Sequence, residues 1–158
     1  MDEKPSRKKN RLQNFDYSTK GDYFITICTD ERKNHFWVSN YKDSDTKSYF
    51  ELLNQNGNVV KNVLLNANKV YSEKAVIEKY VIMPDHIHLL IYIVNDNQIS
   101  VETIVKNIKK YVSMELGVKN LWQKGFYDHI IRNEKDYNEI WDYIDANPRK
   151  LTDNIFME

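Results

Sequence analysis

The stretch KYVIMPDHIHLLIYIV, residues 79–94, constrains the fold of this chain more than any other segment. Two apolar runs, Tyr80 to Met83 and Ile87 to Val94, flank a Pro-Asp pair, and this pattern predicts a β-hairpin. Side chains at positions i and i+2 point to the same face of a strand. His86 and His88 therefore lie side by side on one face of the second arm, and the apolar residues that alternate with them face the core.

Patterned segments on both sides of the hairpin predict further strands and helices. Apolar residues recur every three or four positions in the helical segments; Gly117 closes one predicted helix and Pro148 stops the last. In chain order we predict a strand over Asp22–Cys28, a short strand near Tyr49–Leu53, a helix over Gly57–Tyr71, the hairpin, a helix over Val101–Leu116, a strand around 126–132 and a last helix over 134–148. This order predicts an α+β fold in which helices pack on an antiparallel sheet, most economically a ferredoxin-like one.

Composition limits the class of protein. The chain has 158 residues, which suits one domain over residues 12–158 after a basic arm over residues 1–11. Its 23 Lys and Arg residues balance 23 Asp and Glu residues, so any binding of a polyanion must rely on a local patch. A single cysteine rules out an internal disulfide and suits a cytoplasmic protein. No apolar stretch reaches about 18 residues, so we expect no membrane partner.

The histidine pair has two interpretations that spacing alone supports equally. Imidazoles bind divalent cations, and two of them need at least one further protein ligand to form a catalytic site. Alternatively, one histidine is an ordinary hairpin residue and the other faces solvent. A histidine-triad hydrolase is disfavoured because Leu90 occupies the third alternate position. Nucleotide-binding loops are also disfavoured, since the chain has only 4 glycines.

Tyr143 and Asn147 form a second candidate group. They lie four residues apart on the last predicted helix and therefore share a face. Such an arrangement puts a hydroxyl nucleophile beside an amide oxygen that could complete a cation site with the histidines. The alternative for Asn147 is a plain helix-end residue before proline, and Tyr137 and Tyr127 are competing nucleophiles. Asp85 either orients a neighbouring imidazole or simply forms the turn.

Four segments together resemble one known family. They are RLQNFDYSTKGDYFITICT near the start, VIMPDHIHLLI in the middle, LWQKGFYDHIIRNEKDY and finally YIDANP. Over most of its length the chain resembles the single-tyrosine HUH transposases, and among them the REP-associated tyrosine transposases. The resemblance implies an enzyme that cuts and rejoins single-stranded DNA beside hairpins through a 5′-phosphotyrosine, with Mg or Mn as its cation. It implies Tyr143 as the nucleophile, and His86, His88 and Asn147 as cation ligands, with Asn147 where relatives usually have glutamine.

The resemblance also directs attention to residues that could contact DNA. Phosphate contacts are predicted for five basic side chains, and base stacking for three aromatic ones. The basic residues are Arg11, Lys106, Lys109, Lys110 and Arg132, and the aromatic ones are Trp122, Phe126 and Tyr127. A homodimer that exchanges the tyrosine helix is one expected assembly and a monomer is the other. Two alternative functions stay open: a DNA-hairpin-binding protein that does not transpose, and a phosphodiesterase that uses water.

Overall fold

The computed structural model describes residues 15–41 and 49–156, so the predicted basic arm with Arg11 lies outside the described residues. Within these described residues, four strands and four helices follow one another, with a 3-10 turn at Asp30–Arg32. They are β1 (Gly21–Cys28), α1 (Tyr49–Leu52), α2 (Gln55–Tyr71), β2 (Ala75–Ile82), β3 (His86–Ile93), α3 (Val101–Leu116), β4 (Tyr127–Ile130) and α4 (Glu134–Phe156). In this part of the chain, no helix combines the length and the apolar character needed to cross a bilayer.

The strands form one sheet in the order β2-β3-β1-β4, and every pairing is antiparallel. With α2 between β1 and β2 and α3 between β3 and β4, this is the β-α-β-β-α-β arrangement of a ferredoxin-like fold. The α+β prediction is therefore confirmed, as is the hairpin formed by β2 and β3.

The two faces of the sheet are covered differently. One face carries Ile25 and Ile27 of β1 beside Leu89 and Ile87 of β3, all completely buried. Helices α2 and α3 pack against each other and join their buried apolar stripes to this core. The opposite face carries the histidines, and α4 lies across it. The site is therefore built between the sheet and its last helix.

The predicted strand near Tyr49–Leu53 is wrong, because residues 49–52 form the short helix α1. Five residues of mixed apolar character fit one helical turn as well as a strand, so the pattern could not distinguish them. Leu53 still makes an isolated antiparallel bridge with Trp37. The Tyr49 hydroxyl accepts a hydrogen bond of 2.7 Å from the backbone N–H of Ile82, which ties the helix to β2.

The predicted stop at Pro148 is also wrong, because α4 continues to Phe156 with Pro148 inside it. Proline removes one backbone donor and crowds the carbonyl four residues earlier, which disrupts a helix without always ending it. Here that earlier residue is Ile144, which is 1% exposed, and Pro148 is buried on the same face. Burial of this apolar face offsets the lost hydrogen bond.

Helix boundaries elsewhere follow their capping residues. Asn54 accepts a hydrogen bond of 2.9 Å from the Gly57 N–H and begins α2, and Ser100 accepts one of 3.1 Å from the Thr103 N–H and begins α3. Gly117 ends α3 in the left-handed conformation, with a φ of 65°. The predicted helices over Gly57–Tyr71 and Val101–Leu116 are confirmed.

Gly57→Ala is expected to destabilise the protein by about 2 kcal/mol, because an added methyl group would collide with the Phe36 carbonyl oxygen. This loss outweighs the better helix propensity of alanine. Urea unfolding of both proteins measures the difference. Asn62→Ala, at an exposed position of the same helix, is the control and should change the free energy of unfolding by less than about 0.5 kcal/mol.

Candidate active site

His86 and His88 bring two ring nitrogens together at the start of β3. Their Nε2 atoms are 3.2 Å apart, close enough for one to donate a hydrogen bond to the other. The rings meet edge to face with centroids 4.7 Å apart. His88 is 5% exposed, so its imidazole lies in the floor of the site. The spacing prediction that both rings share one face is confirmed.

The other nitrogen of each ring is held by a neighbour. The ring of His86 donates from Nδ1 to Asp85 Oδ1 across 2.6 Å. The Asp85 carboxylate is therefore an orienting partner as well as part of the turn between β2 and β3. For His88, Nδ1 and the Thr26 hydroxyl share a hydrogen bond of 2.8 Å. Because a hydroxyl both donates and accepts, Thr26 is compatible with either neutral tautomer of His88.

Burial and nearby groups favour the neutral form of His88. Burial, and then the neighbouring His86 and Arg32 side chains, lower the pKa of His88 to about 3. Burial alone would raise the pKa of Asp85, but hydrogen bonds from His86 and Arg32 outweigh it and lower that pKa to about 2. At neutral pH the site therefore holds a neutral imidazole and an ionised carboxylate, and cation binding requires the imidazole in its neutral form.

Helix α4 adds Tyr143 and Asn147 to the same site. The Tyr143 ring lies edge-on to His88 with centroids 5.6 Å apart, and it also contacts Phe24 at 6.0 Å. Its side chain is 43% exposed. One helical turn later, Asn147 has a buried Nδ2 atom without a hydrogen-bond partner. These two residues and the histidines line one cavity of about 660 Å³.

The position of α4 over the sheet is fixed by contacts at the β2 edge. Lys79 Nζ forms an ion pair with Asp145 Oδ1 at 2.5 Å and lies 3.9 Å from the centroid of the Trp141 ring. The Tyr137 hydroxyl donates to Glu78 Oε2 across 3.1 Å. These contacts come from both sides of Tyr143 in sequence, so they set the position of its phenol relative to the histidines.

The donor set suits a divalent cation. A metal ion binds imidazole nitrogens at about 2.1 Å, so two such nitrogens on one metal lie roughly 3 Å apart at ordinary ligand angles. The two Nε2 atoms of His86 and His88 have a separation of this size, 3.2 Å. The Nδ2 atom of Asn147 is buried without a hydrogen-bond partner. Exchange of the two terminal amide atoms, which are told apart only by their hydrogen bonds, would put an oxygen at this point. Within the described residues no group of three or more His, Cys, Asp or Glu side chains could hold a metal.

Comparison with known proteins identifies the family. No protein-family model matches the chain. An uncharacterized Haemophilus influenzae protein is 29% identical, with 90% of this chain and 88% of that protein covered. A second Haemophilus influenzae protein, assigned by name to the REP-associated tyrosine transposases, is 30% identical over 85% of this chain and 74% of its own length. The chain belongs to the REP-associated tyrosine transposases.

A further relative and one solved structure are also similar to the chain. A REP-associated tyrosine transposase of Escherichia coli is 38% identical over 74 residues, which cover 47% of this chain and 44% of that protein. A solved structure of a REP-associated tyrosine transposase bound to a REP hairpin has a TM-score of 0.63 at 24% identity. It covers 89% of this chain and 73% of the solved one, and it shares the fold described above.

The competing tyrosines of this transposase lie in different surroundings. Tyr137 is turned toward Glu78, away from the histidines, and burial raises its pKa to about 12. Tyr127 is 37% exposed on β4, beside Thr26 on the histidine face of the sheet. Tyr41, which sequence analysis did not single out, lines the cavity with Tyr143. Among these tyrosines, the ring of Tyr143 contacts a histidine of the pair. Tyr41 and Tyr127 lie nearby and serve as comparison residues for testing the nucleophile.

The predicted DNA-contacting residues are dispersed. Lys106, Lys109 and Lys110 lie on α3, which covers the apolar face, so the structure does not bring them together with the histidines. Lys106 and Lys110 are exposed, but Lys109 donates from Nζ to the Gln123 and Gly125 carbonyls. Its ammonium therefore holds the loop before β4. Arg132 is exposed between β4 and α4.

Of the three predicted stacking residues, Phe126 is buried and Trp122 is half-buried against the core. Phe126 is 5% exposed. Trp122 donates from Nε1 to the Lys109 carbonyl across 3.1 Å and packs on Phe36 with ring centroids 5.7 Å apart. Tyr127, which is 37% exposed, is the most accessible of the three rings.

Sequence reasoning missed Arg32 and Thr26, which contact the histidines. Thr26 lies directly opposite His88 in the β1–β3 register. Pairing the two predicted strands in the correct antiparallel register would have identified Thr26 as the neighbour of His88. Arg32 belongs to the 3-10 turn after β1 and reaches Asp85 in a different turn. No local pattern signals that contact, because it depends on how two loops meet.

An acidic pair lies on the same face at the far end of the sheet. Asp22 lies next to Glu78, and burial, followed by the hydrogen bond and the charge of Glu78, raises the pKa of Asp22 to about 7. Between pH 4 and 7 the folded protein therefore binds a proton at Asp22 that the unfolded chain has released. Stability should fall as pH rises through this range, because deprotonation is costlier in the folded state.

Asp22→Asn should flatten this pH dependence and make the transposase more stable than the wild type at pH 8, by about 1 kcal/mol after allowing for solvent screening. Chemical denaturation at pH 5 and pH 8 measures the effect. Glu78→Gln should act in the same direction, since the high pKa of Asp22 depends on both acids. Slopes identical to the wild-type slope in both variants would contradict the expectation.

Proposed function

We propose that this transposase cuts and rejoins single-stranded DNA through a covalent bond to Tyr143, using a divalent cation held by His86, His88 and Asn147. The observation that carries the proposal is the shared cavity. Residues from β3 and α4 converge there, with the Tyr143 ring against the His88 imidazole. A nucleophile beside two oriented imidazoles is suited to attack on a phosphodiester.

In the first step, the Tyr143 phenolic oxygen attacks the scissile phosphorus and loses its proton to solvent. A bond forms between this oxygen and phosphorus, and the bond from phosphorus to the 3′ oxygen breaks. The 3′ oxygen leaves and takes up a proton, so the products are a 5′-phosphotyrosine and a free 3′-OH. Attack by a second 3′-OH reverses the reaction and restores the phenol. Rejoining thus needs no ATP, because the covalent intermediate conserves the phosphodiester bond.

The chain supplies the orientation that this chemistry requires. Asp85 and Thr26 fix the two imidazoles, and the contacts of Lys79 with Asp145 and Trp141 hold α4 so that Tyr143 faces them. A bound Mg or Mn would polarise the phosphate as a Lewis acid. Asn147 is the proposed third ligand because it lines the cavity and its Nδ2 atom is buried there without a hydrogen-bond partner, so an exchange of its two terminal amide atoms would put an oxygen at that point.

The proposed substrate is a DNA strand with a hairpin beside the cleavage site. Lys106, Lys110 and Arg132 are exposed and are proposed to contact phosphates outside the cavity, together with Arg11. One chain contains the histidines, Asn147 and Tyr143 in one cavity, so a monomer has every group that the proposed cleavage needs.

The decisive experiment identifies the DNA-linked peptide. Wild-type protein is incubated with Mn²⁺ and a pool of oligonucleotides that carry a hairpin and randomised single-stranded flanks. The covalent complex is isolated, its DNA is sequenced and its peptides are analysed by mass spectrometry. We expect the DNA to be joined through its 5′ phosphate to the peptide that contains Tyr143. Cleaved strands without any adduct would reject the proposal and favour hydrolysis by water, whereas hairpin binding without cleavage would favour a binding protein.

A further inference from the structure

Arg32 occupies the wall of the histidine cavity and is held there by Asp85. Its Nε donates to Asp85 Oδ2 across 2.8 Å, and Nη2 donates to Asp85 Oδ1 across 3.3 Å. The fork of the guanidinium thus matches both carboxylate oxygens, which fixes its plane. Even so, the Arg32 side chain is 51% exposed and is one of the residues that line the cavity.

The backbone adopts an unfavourable conformation to hold this arginine. Glu31 and Arg32 have φ values of 57° and 54°, in the left-handed region that non-glycine residues rarely occupy. Hydrogen bonds before and after the strained pair in sequence stabilise the segment. The N–H and hydroxyl of Thr29 donate to the Asp85 carbonyl, and the N–H of His35 donates to the Pro84 carbonyl. Strain of this kind is concentrated at functional sites.

The guanidinium retains donors that the protein does not use. It has five N–H groups. Besides the two bonds to Asp85, Nη1 contacts Cys28 Sγ at 3.5 Å and Nη2 lies 3.3 Å from His86 Nδ1. These contacts engage at most four N–H groups, so at least one has no acceptor among the described residues. Since His86 Nδ1 already donates to Asp85, the contact with Nη2 is not a second hydrogen bond, and another donor is left.

We propose that Arg32 is a phosphate-binding residue that donates to a non-bridging oxygen of the DNA phosphate cleaved at the histidine pair. This inference rests on the proposed function and adds a protein group to it. Asp85 then has two tasks, because it orients His86 through one oxygen and aligns Arg32 through both. The guanidinium and the histidines approach the phosphate from one wall of the cavity, and Tyr143 approaches it from α4.

The alternative is that Arg32 only supports Asp85 and His86. The two roles differ in what they change. A supporting residue would alter cation affinity in the absence of DNA. A phosphate-binding residue would alter the affinity for one particular phosphate and leave cation affinity nearly unchanged, because the hydrogen bond from His86 to Asp85 persists without Arg32.

The test uses an intact oligonucleotide with the substrate sequence identified through the adduct, bound to protein that also carries Tyr143→Phe so that it is not cleaved. Affinity is measured by fluorescence anisotropy for this strand and for a copy with an uncharged methylphosphonate at the cleaved position. Arg32→Ala should weaken binding of the natural strand by about 10-fold or more. It should weaken binding of the methylphosphonate strand by less than twofold. Arg32→Lys, which keeps the charge without the fork, should give an intermediate loss on the natural strand.

Cation affinity of the DNA-free protein, measured by Mn²⁺ electron paramagnetic resonance, separates the two roles. Asp85→Asn should lower it by roughly 10- to 100-fold, and Arg32→Ala should leave it within about threefold of wild type. The exposed neighbour variant Lys33→Ala should change neither measurement. Equal losses on the two strands, or a loss of Mn²⁺ affinity as large as that of Asp85→Asn, would overturn the inference while wild-type cleavage still supports the proposed function. Absence of any wild-type adduct would overturn both.

Discussion

Tyr143→Phe is expected to abolish the covalent adduct and to slow strand cleavage by on the order of 10⁴-fold or more, the scale seen when a nucleophile is removed. The substitution deletes one oxygen and keeps the ring that packs on His88 and Phe24. Fold, cation affinity and strand binding should therefore be preserved. Single-turnover cleavage of a hairpin-bearing oligonucleotide with Mn²⁺, resolved on a denaturing gel, measures adduct and cleavage together.

The chain provides matched controls for this variant. Tyr41→Phe removes a hydroxyl from the same cavity, and Tyr137→Phe removes one from the same helix. Tyr127→Phe removes one from the same face of the sheet. Each should still form the adduct. If Tyr143→Phe forms it and one of these three does not, the nucleophile has been misassigned, but the cation site can still be correct.

Several features of the fold were predictable because their signals are local. The two-residue period of a strand places His86 and His88 on one face, and the apolar stripes of α2 and α3 reveal their buried sides. Gly117 ends α3 through its own backbone freedom. Each of these rules involves residues within a few positions of one another, so a single sequence carries enough information to apply it.

The errors occurred where packing outweighs local preference. Pro148 normally ends a helix, but its burial beside Ile144 lets α4 continue. Lys109 has the solvent-facing pattern of an ordinary surface lysine, yet its ammonium donates hydrogen bonds to two carbonyls of the loop before β4. The spacing of residues predicts neither outcome, because the interacting partners come from distant parts of the chain.

The residues of the site likewise fall into those that local sequence patterns predict and those that depend on distant contacts. The histidines and the Tyr143–Asn147 face could be predicted from strand and helix periods, and their meeting could be predicted only through resemblance to a family. Arg32 was not predictable by either route. It reaches the site because the turn after β1 is hydrogen-bonded to the Pro84–Asp85 turn. Loop-to-loop contacts of this kind have no period, so they emerge only from coordinates.

The two imidazoles of the proposed cation site are held by different chemistry. His86 donates to an ionised carboxylate, which strengthens the ligand character of its Nε2 atom, whereas His88 relies on a neutral hydroxyl. His88 is also the more deeply buried ring and touches Tyr143. Loss of His88 should therefore remove a ligand and also disturb the surroundings of the nucleophile.

His88→Ala is expected to reduce cleavage to background and to lower Mn²⁺ affinity by more than the roughly 10- to 100-fold that accompanies loss of an outer hydrogen-bond partner. Thr26→Val, which removes only the hydroxyl bonded to Nδ1 of His88, should produce that smaller loss. EDTA should abolish cleavage by the wild-type protein, as His88→Ala does. Added Mn²⁺ should then restore cleavage by the EDTA-treated wild type but should not restore cleavage by the His88→Ala protein.

His129→Ala is the matched control, because His129 lies on the same sheet face and bonds Asp136 across 2.7 Å but lies outside the cavity lining. It should leave Mn²⁺ affinity and cleavage unchanged. Thermal unfolding followed by circular dichroism establishes that His88→Ala is folded at the assay temperature. A folded His88→Ala protein that still forms the Tyr143 adduct at the wild-type rate would mean that the histidine pair does not hold the cation, and the catalytic centre would have to be sought around Tyr143 alone.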